Sequence, residues 1–175
     1  HELIGKNNKC KILVLAPTNK ACDVLTTKVM SMGSYANWLR RFVACGDQII
    51  ANQSVLCDRE SDIYNQEQCC VVSTIARLPY DGFSHNVWLR DIEWDYVIID
   101  EASMIPLAQI VYAIYKFSKS RIIIAGDPFQ ISPIVRESMW EDENIYTMVN
   151  LNSFVHPNTE PHKFKIKNLD TQYRS

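Results

Sequence analysis

Two adjacent carboxylates directly follow a short apolar run, and they are the side chains in this sequence with the clearest chemical capability. Asp100 and Glu101 come after Tyr96 to Ile99. Such a β-branched run predicts a parallel strand covered on both faces, and ligands of open α/β sheets bind beyond the carboxyl ends of such strands. One carboxylate could hold Mg²⁺ while the other accepts a proton from an attacking water. Taken alone, such a pair is more often a solvated strand end that caps the next helix.

A second polar group follows the next β-branched run, Arg121 to Ala125. It consists of Gly126, Asp127 and, three residues later, Gln130. Because parallel strands end at the same edge of a sheet, we expect this group to lie beside the acidic pair. Gln130 could then orient an attacking water or detect a terminal phosphate. The structural alternative is a simple Gly-Asp-Pro turn.

Hydroxyl and amide side chains mark two earlier strand ends. Pro17, Thr18 and Asn19 lie between a strand-like run and a helix-like pattern, and Ser73 and Thr74 repeat this arrangement. These side chains could cap the following helix. With the helix amides, they could also bind a nucleic-acid phosphate without any large net charge.

A lone arginine, Arg174, lies beyond the weakly strand-like segment Lys163 to Leu169. An arginine at a strand end can stabilise charge on a transferring phosphoryl group. The alternative is an ordinary solvated surface residue.

Composition narrows the class of protein. The length of 175 residues and the hydrophobic fraction of 47% predict a single domain. A net charge of −2 excludes nucleic-acid binding by bulk electrostatics, so any such contact must be local. The six cysteines form no Cys-x-x-Cys pair, which favours reduced core residues over a zinc site or disulfides. No apolar run reaches the length of a membrane span. We expect a cytoplasmic protein, or a nuclear one in a eukaryote, without membrane contact.

The elements that must position these side chains alternate between strands and helices, which predicts a parallel sheet with right-handed crossovers. The predicted strands are residues 12–15, 71–75, 96–99 and 121–125, with weaker candidates at 41–44 and 163–169. The predicted helices are residues 20–32 and 106–117, with a helical turn near 35–40. In the helix at 106–117 we expect one buried face, formed by Leu107, Ile110, Val111, Ile114 and Tyr115. Residues 47–68 and 137–160 lack periodicity and predict surface excursions.

In this order and at these spacings, the motifs resemble those of superfamily 1 helicases, particularly the branch of RecD-like and nonsense-mediated-decay enzymes. Residues 16–21 are similar to motif Ia, 73–74 to the Ib/Ic region, 100–103 to motif II (Walker B), 126–130 to motif III and 169–174 to motif IV. The resemblance implies a three-layer α/β, RecA-like P-loop NTPase fold with a mainly parallel sheet. It also implies ATP and Mg²⁺ as cofactors, and single-stranded nucleic acid as the partner, with DNA favoured over RNA.

Residue roles carry over from the same resemblance. It implies that Asp100 coordinates Mg²⁺, directly or through water, and that Glu101 is the catalytic base. Gln130 and Arg174 would be catalytic and would contact the γ-phosphate of the nucleotide. The residues implied to touch nucleic acid are Pro17, Thr18, Asn19, Ser73 and Thr74.

One motif of the family is missing from these 175 residues. Gly5-Lys6-Asn7 lacks the upstream glycine and the following hydroxyl of the Gly-x-x-x-x-Gly-Lys-[Ser/Thr] phosphate loop. We therefore expect residues 1–175 to be part of a first RecA-like domain, without the phosphate-loop strand or the second RecA-like domain, and to be inactive alone.

The missing strand would leave an apolar edge at residues 122–125. We expect that edge to drive dimerisation or a strand rearrangement, for example an inward shift of residues 163–169. Two other functions stay open. One is a non-catalytic nucleic-acid- or protein-binding module on a RecA-like fold, and the other is a P-loop ATPase that does not unwind nucleic acid.

Overall fold

Six parallel strands form the centre of the molecule. The structure is a computed structural model that describes residues 9–42, 46–51, 54–80, 82–83, 86–128, 130, 133, 143–149, 165–167 and 169. In chain order the strands are β1 (Lys11–Ala16), β2 (Leu39–Phe42), β3 (Leu56–Cys57), β4 (Cys69–Thr74), β5 (Tyr96–Ile99) and β6 (Arg121–Ile124). Their order in the sheet is β3-β2-β4-β1-β5-β6, and every pairing is parallel. The predicted parallel α/β architecture is confirmed.

Helices lie on both faces of this sheet. They are α1 (Asn19–Met30), α2 (Gln48–Ala51), α3 (Leu107–Lys116) and α4 (Ile145–Met148), with four short 3₁₀ turns at Ile63–Asn65, Ile75–Arg77, Leu89–Asp91 and Ala102–Met104. α1 packs on a cluster that includes Ile12 and Val72, whereas α3 and α4 pack on a larger cluster that includes Leu13 and Val97. Because successive β1 residues face opposite sides, this central strand is apolar from Ile12 to Ala16. The domain therefore has three layers.

The buried face of α3 differs from the prediction. Leu107 and Ile110 are buried as expected, but Val111 is 44% exposed and Tyr115 80% exposed. The small Ala113 is fully buried in their place. The prediction was wrong because it selected the large apolar side chains, whereas the helix contacts the core through an arc that contains an alanine.

Residues 47–68 form part of the core rather than a plain surface excursion. They contribute α2 and β3, and Ile50, Val55, Cys57 and Ile63 are buried. The strand is only two residues long and is fixed by its pairing with β2, Arg41 opposite Leu56. Such a short strand has no periodicity of its own for a sequence pattern to detect. Similarly, β2 begins at Leu39, two residues before its predicted start, and shortens the turn predicted near 35–40.

The last strand, β6, forms one edge of the sheet. It pairs with β5, and no described residue pairs along its other side. Ile123 on this strand is 43% exposed. An unpaired apolar edge at this position agrees with the sequence prediction. The inward shift of residues 163–169 is not seen where that segment is described, because Lys165, Ile166, Lys167 and Leu169 are exposed and outside strands.

The cysteines behave as core residues. Cys10, Cys22, Cys57, Cys69 and Cys70, the five that the structure describes, are buried free thiols. Their burial agrees with the predicted place of these five residues in the core. Among the helices of the described ranges, none is long and apolar enough to cross a membrane.

Candidate active site

The sheet register brings the motif-bearing loops to one edge. Leu15 on β1 lies opposite both Ser73 on β4 and Ile99 on β5, and Ile99 lies opposite Ile124 on β6. Because all four strands run in the same direction, the loops that follow them begin side by side. The structure therefore places the acidic pair between the loop after β1 and the loop after β6.

Backbone hydrogen bonds clamp the acidic pair to both neighbouring loops. The Asp100 amide donates to the Leu15 carbonyl at 2.8 Å. On the other side, the Ala102 amide donates to the Ala125 carbonyl at 2.9 Å. The two donors lie one and three residues beyond the end of β5, so the bonds extend the contact between neighbouring chain segments past the strands. The backbone around Asp100 and Glu101 is therefore fixed by the sheet itself.

Glu101 has a strained backbone. Its φ of 50° and ψ of 42° lie in the left-handed region, which costs an L-residue roughly 1–2 kcal/mol. The residue begins the 3₁₀ turn Ala102–Met104, whose Met104 amide donates to the Glu101 carbonyl at 3.0 Å. Backbone outliers of this kind concentrate at functional sites. Both carboxylates are half-buried, so they keep contact with solvent.

Gly126 permits a close approach that no other residue would. Its φ is 158°, and a Cβ at this position would lie 2.6 Å from the Tyr146 hydroxyl oxygen and 2.9 Å from the Ala102 amide nitrogen. The motif after β6 therefore packs directly on the turn after β5 and on a tyrosine from α4. Farther along, Gln130 is exposed, and its amide donates to the Asp127 carbonyl at 3.1 Å.

Tyr146 is a site residue that sequence reasoning missed, because residues 137–160 were predicted to be a surface excursion. Its side chain is only 8% exposed and belongs to the larger core cluster. Asn144 positions it through a capping box, in which Asn144 Oδ1 accepts from the Tyr146 amide at 2.8 Å. The Asn-x-x-Thr spacing of Asn144 and Thr147 was the available signal.

Two carboxylates act electrostatically on the Tyr146 hydroxyl. Burial, and then the negative charges of Asp100 and Asp127, raise the pKa of Tyr146 to about 12. The hydroxyl therefore stays protonated at neutral pH and remains a hydrogen-bond donor. No described residue accepts a hydrogen bond from it. The buried hydroxyl of Ser103, on the neighbouring turn, likewise has no partner within the described residues.

The residues after β1 form the N-terminus of α1. Thr18 Oγ1 accepts from the Ala21 amide at 3.1 Å, so Thr18 is the N-cap of this helix, as the structural alternative proposed. Thr18 and Asn19 are nevertheless exposed, and Pro17 is half-buried. The capping hydrogen bond uses only the hydroxyl oxygen of Thr18. The exposed surface at this helix end is still open to a nucleic-acid phosphate.

A buried ion pair between Arg41 and Asp23 holds this end of α1 against the sheet. Arg41 on β2 donates through Nε to Asp23 Oδ1 at 2.8 Å, and it donates through Nη2 to Asn19 Oδ1 at 3.0 Å. Asp23 also accepts from the Gly46 amide at 3.2 Å. Sequence reasoning treated Arg41 only as part of a weak strand. A charged residue at the start of a strand-like apolar segment was the available signal of a buried partner.

The remaining predicted site residues are placed less favourably. Ser73 is fully buried and Thr74 is 5% exposed, so neither side chain is open to a nucleic-acid strand in this conformation. Their predicted role stays a prediction. Arg174 lies outside the described residues.

The acidic pair is suited to bind the Mg²⁺ ion of a nucleotide site. Mg²⁺ is usually bound through one or two carboxylates, with phosphate and water oxygens completing its shell. In the part of the chain that the structure describes, no group of three or more His, Cys, Asp or Glu residues could hold a metal ion. Phosphate and water oxygens would therefore have to complete a shell begun by Asp100.

Three layers around a parallel sheet, with a carboxylate pair beside a Gly-Asp loop, are typical of the fold of α/β nucleoside triphosphatases. A family model described as "AAA domain" matches residues 2–168, and the chain belongs to this family. The predicted RecA-like P-loop NTPase fold is thereby confirmed. A human protein named RNA helicase Mov10l1 is 24% identical over 135 residues, which cover 74% of this chain and 11% of that protein. With the family match, this similarity supports the resemblance drawn from the motifs, and the chain is a superfamily 1 helicase-like domain.

Proposed function

We propose that this domain belongs to the motor of a nucleic-acid helicase, in which hydrolysis of Mg²⁺-bound ATP drives movement along a single strand. The observation that carries the proposal is the hydrogen bond from Ala102 to Ala125. It joins the turn of the acidic pair to the loop that leads to Gln130. A change at the nucleotide would therefore reach that loop through the backbone. The family match and the similarity to a protein named as an RNA helicase support the same class of activity.

In this proposal the two carboxylates have different tasks. Asp100 holds Mg²⁺, directly or through water, and the ion neutralises phosphate charge when it is bound. Glu101 accepts the proton of the attacking water. Its left-handed backbone, held by the turn that follows, fixes the direction in which the side chain leaves the main chain. Gln130 and Arg174 are proposed to contact the γ-phosphate.

The nucleic-acid contact is proposed at the start of α1. Pro17, Thr18 and Asn19 lie at the N-terminus of a 12-residue helix, where amide groups favour an anion. Arg41 fixes the Asn19 side chain from the buried side. Thr74 lies opposite Ala16 in the sheet, so the Ser73–Thr74 segment borders this surface. The sequence favoured DNA, whereas the similar human protein is named as an RNA helicase, so both ligands belong in the test.

For residues 1–175 alone, we propose that no ATP turnover occurs. The sequence contains no Gly-x-x-x-x-Gly-Lys-[Ser/Thr] motif to hold the β- and γ-phosphates. We also propose that the β6 edge makes this stretch dimerise or rearrange. Size-exclusion chromatography with light scattering tests the second point, and a monodisperse monomer with an unchanged sheet would refute it.

The nucleic-acid proposal is tested by fluorescence anisotropy with labelled single-stranded RNA and DNA of equal length at low salt. We expect binding of at least one strand type, weakened by Asn19→Ala. The matched control is Asn65→Ala, which alters an exposed asparagine beside Tyr64, whose carbonyl accepts from Lys11 at the opposite end of β1. Absence of binding to either strand removes the case for this surface. Equal weakening by both variants would show that the contact is unspecific.

A further inference from the structure

We propose that Tyr146 is a positioning residue of the acidic site, and that its hydroxyl donates a hydrogen bond to the Asp100 carboxylate when Mg²⁺ and nucleotide are bound. This inference rests on the proposed function and adds to it a residue outside the recognised motifs. It assigns to α4 the task of holding the metal-binding carboxylate in one orientation.

The position of Tyr146 supports this role. α4 packs against the turn Ala102–Met104, which directly follows the acidic pair. The ring of Tyr146 lies in the larger core cluster, while its hydroxyl reaches the carboxyl edge of the sheet at Gly126. The backbone of the residue is fixed by the capping box of Asn144. Because the ring is packed in the core and the backbone is fixed, the hydroxyl has a defined position at the site.

The hydroxyl has no role in packing that a phenylalanine could not fill. It is buried and finds no acceptor among the described residues, although buried polar groups are nearly always paired. It also requires a glycine at position 126, since a Cβ there would lie 2.6 Å away. Burial without an acceptor and the need for glycine at position 126 are both unfavourable. We therefore infer that the hydroxyl has a hydrogen-bond partner in another state of the protein.

Asp100 is the partner that the geometry favours. A Cβ on Gly126 would lie 2.6 Å from the Tyr146 hydroxyl oxygen and 2.9 Å from the amide nitrogen of Ala102, so the hydroxyl lies beside the turn that directly follows the acidic pair. The effect of Asp100 on the pKa of Tyr146, which is larger than that of Asp127, agrees with this placement. A tyrosine hydroxyl can donate a hydrogen bond, whereas an ionised carboxylate can only accept one. A hydrogen bond from a neutral donor to a carboxylate is stronger than a neutral pair and would fix the carboxylate orientation.

The test uses the full-length protein that carries this domain, with Tyr146→Phe compared with wild type. The matched control is Tyr115→Phe, which changes an exposed tyrosine on α3. Two quantities are measured: the melting temperature without ligand, and the Mg²⁺ concentration that half-saturates binding of a fluorescent ATP analogue. We expect Tyr146→Phe to leave the melting temperature unchanged or higher. We expect it to raise the half-saturating Mg²⁺ concentration about tenfold, and Tyr115→Phe to change neither quantity.

A second variant separates this inference from the proposed function. In an Asp100→Ala background, Tyr146→Phe should add no further effect, because the acceptor of the hydrogen bond is gone. If wild-type binding is Mg²⁺-dependent and Tyr146→Phe matches the control, this inference alone fails. A lower melting temperature for Tyr146→Phe also overturns it, because the hydroxyl would then be bonded within the free protein. If wild-type binding is independent of Mg²⁺, the proposed function fails together with this inference.

Discussion

Arg41 and Asp23 form a buried ion pair, with 2.8 Å between Nε and Oδ1, that joins strand β2 to helix α1. Their side chains are 0% and 3% exposed. The remaining donors and acceptors of the pair are also used, through Asn19, Phe42 and Gly46. The pair therefore fixes where α1 begins relative to the sheet, and with it the proposed nucleic-acid surface.

Removing one partner of this pair should be costly. Asp23→Ala leaves the Arg41 charge buried without its counterion, and we expect a loss of about 3–5 kcal/mol in the free energy of unfolding. Urea denaturation measures it. Asp23→Leu combined with Arg41→Met should recover most of the loss. Glu67→Ala, which breaks the exposed pair with Lys9, should cost less than about 1 kcal/mol. A small effect of Asp23→Ala would contradict the role given to the pair.

Glu101→Gly should stabilise the protein while removing the proposed base. Glycine adopts the left-handed region freely, so the substitution relieves the strain at this position. After the entropy cost of glycine, we expect a net gain of up to about 1 kcal/mol in the free energy of unfolding. Chemical denaturation with circular dichroism detects it. A clear loss of stability would mean that the Glu101 side chain contributes packing that outweighs the strain.

Gly126→Ala should destabilise the protein by about 2 kcal/mol or more. The added Cβ would clash with the Tyr146 hydroxyl and with the Ala102 amide nitrogen, which belongs to the backbone. Combining it with Tyr146→Phe removes only the first clash, so we expect partial recovery. Thermal denaturation of both variants provides the comparison. Full recovery in the double variant would show that the backbone contact is unimportant.

Stability should fall as the pH rises above about 9. Burial raises the pKa of Cys57 and of Cys70 to about 12, and that of Cys22 and of Cys69 to about 11, from 9.0. Above pH 9 the unfolded chain loses thiol protons that the folded protein retains, so the folded state binds more protons and loses stability with rising pH. Urea denaturation under reducing conditions at pH 7 to 10.5 measures this.

The matched variant for the pH series is Cys70→Val, which removes one of the four thiols. It should flatten the decline in unfolding free energy above pH 9. An unchanged slope in this variant would show that other groups determine the alkaline limit of stability.

Strong local patterns made part of the molecule predictable. Tyr96 to Ile99 is a strand with the predicted bounds, because it is a continuous β-branched run that ends at two charged residues. The acidic pair and Gly126 could be placed at one edge because parallel strands share their direction. These inferences need only the order of elements along the chain.

Contacts between distant residues were not predictable from such patterns. Tyr146 approaches Gly126 only because α4 packs against the turn Ala102–Met104, far away in sequence. The Arg41–Asp23 pair likewise depends on how α1 crosses β2. The left-handed conformation of Glu101 occurs directly before a turn that is hydrogen-bonded to Ala125, in the loop after β6. Each is a property of the packed elements and leaves little trace in a single stretch of sequence.

We propose that Asp100 and Glu101 form the hydrolytic pair of an ATP-driven motor, and Glu101→Gln tests this role most directly. The measurement is ATP turnover by the full-length protein, with Mg²⁺ and single-stranded nucleic acid, alongside binding of a fluorescent ATP analogue. Since glutamine keeps the shape of the side chain but cannot accept the proton, turnover should fall by about 10²- to 10⁴-fold while nucleotide binding is largely kept. Turnover in Glu101→Gln equal to that of the wild type would contradict the account.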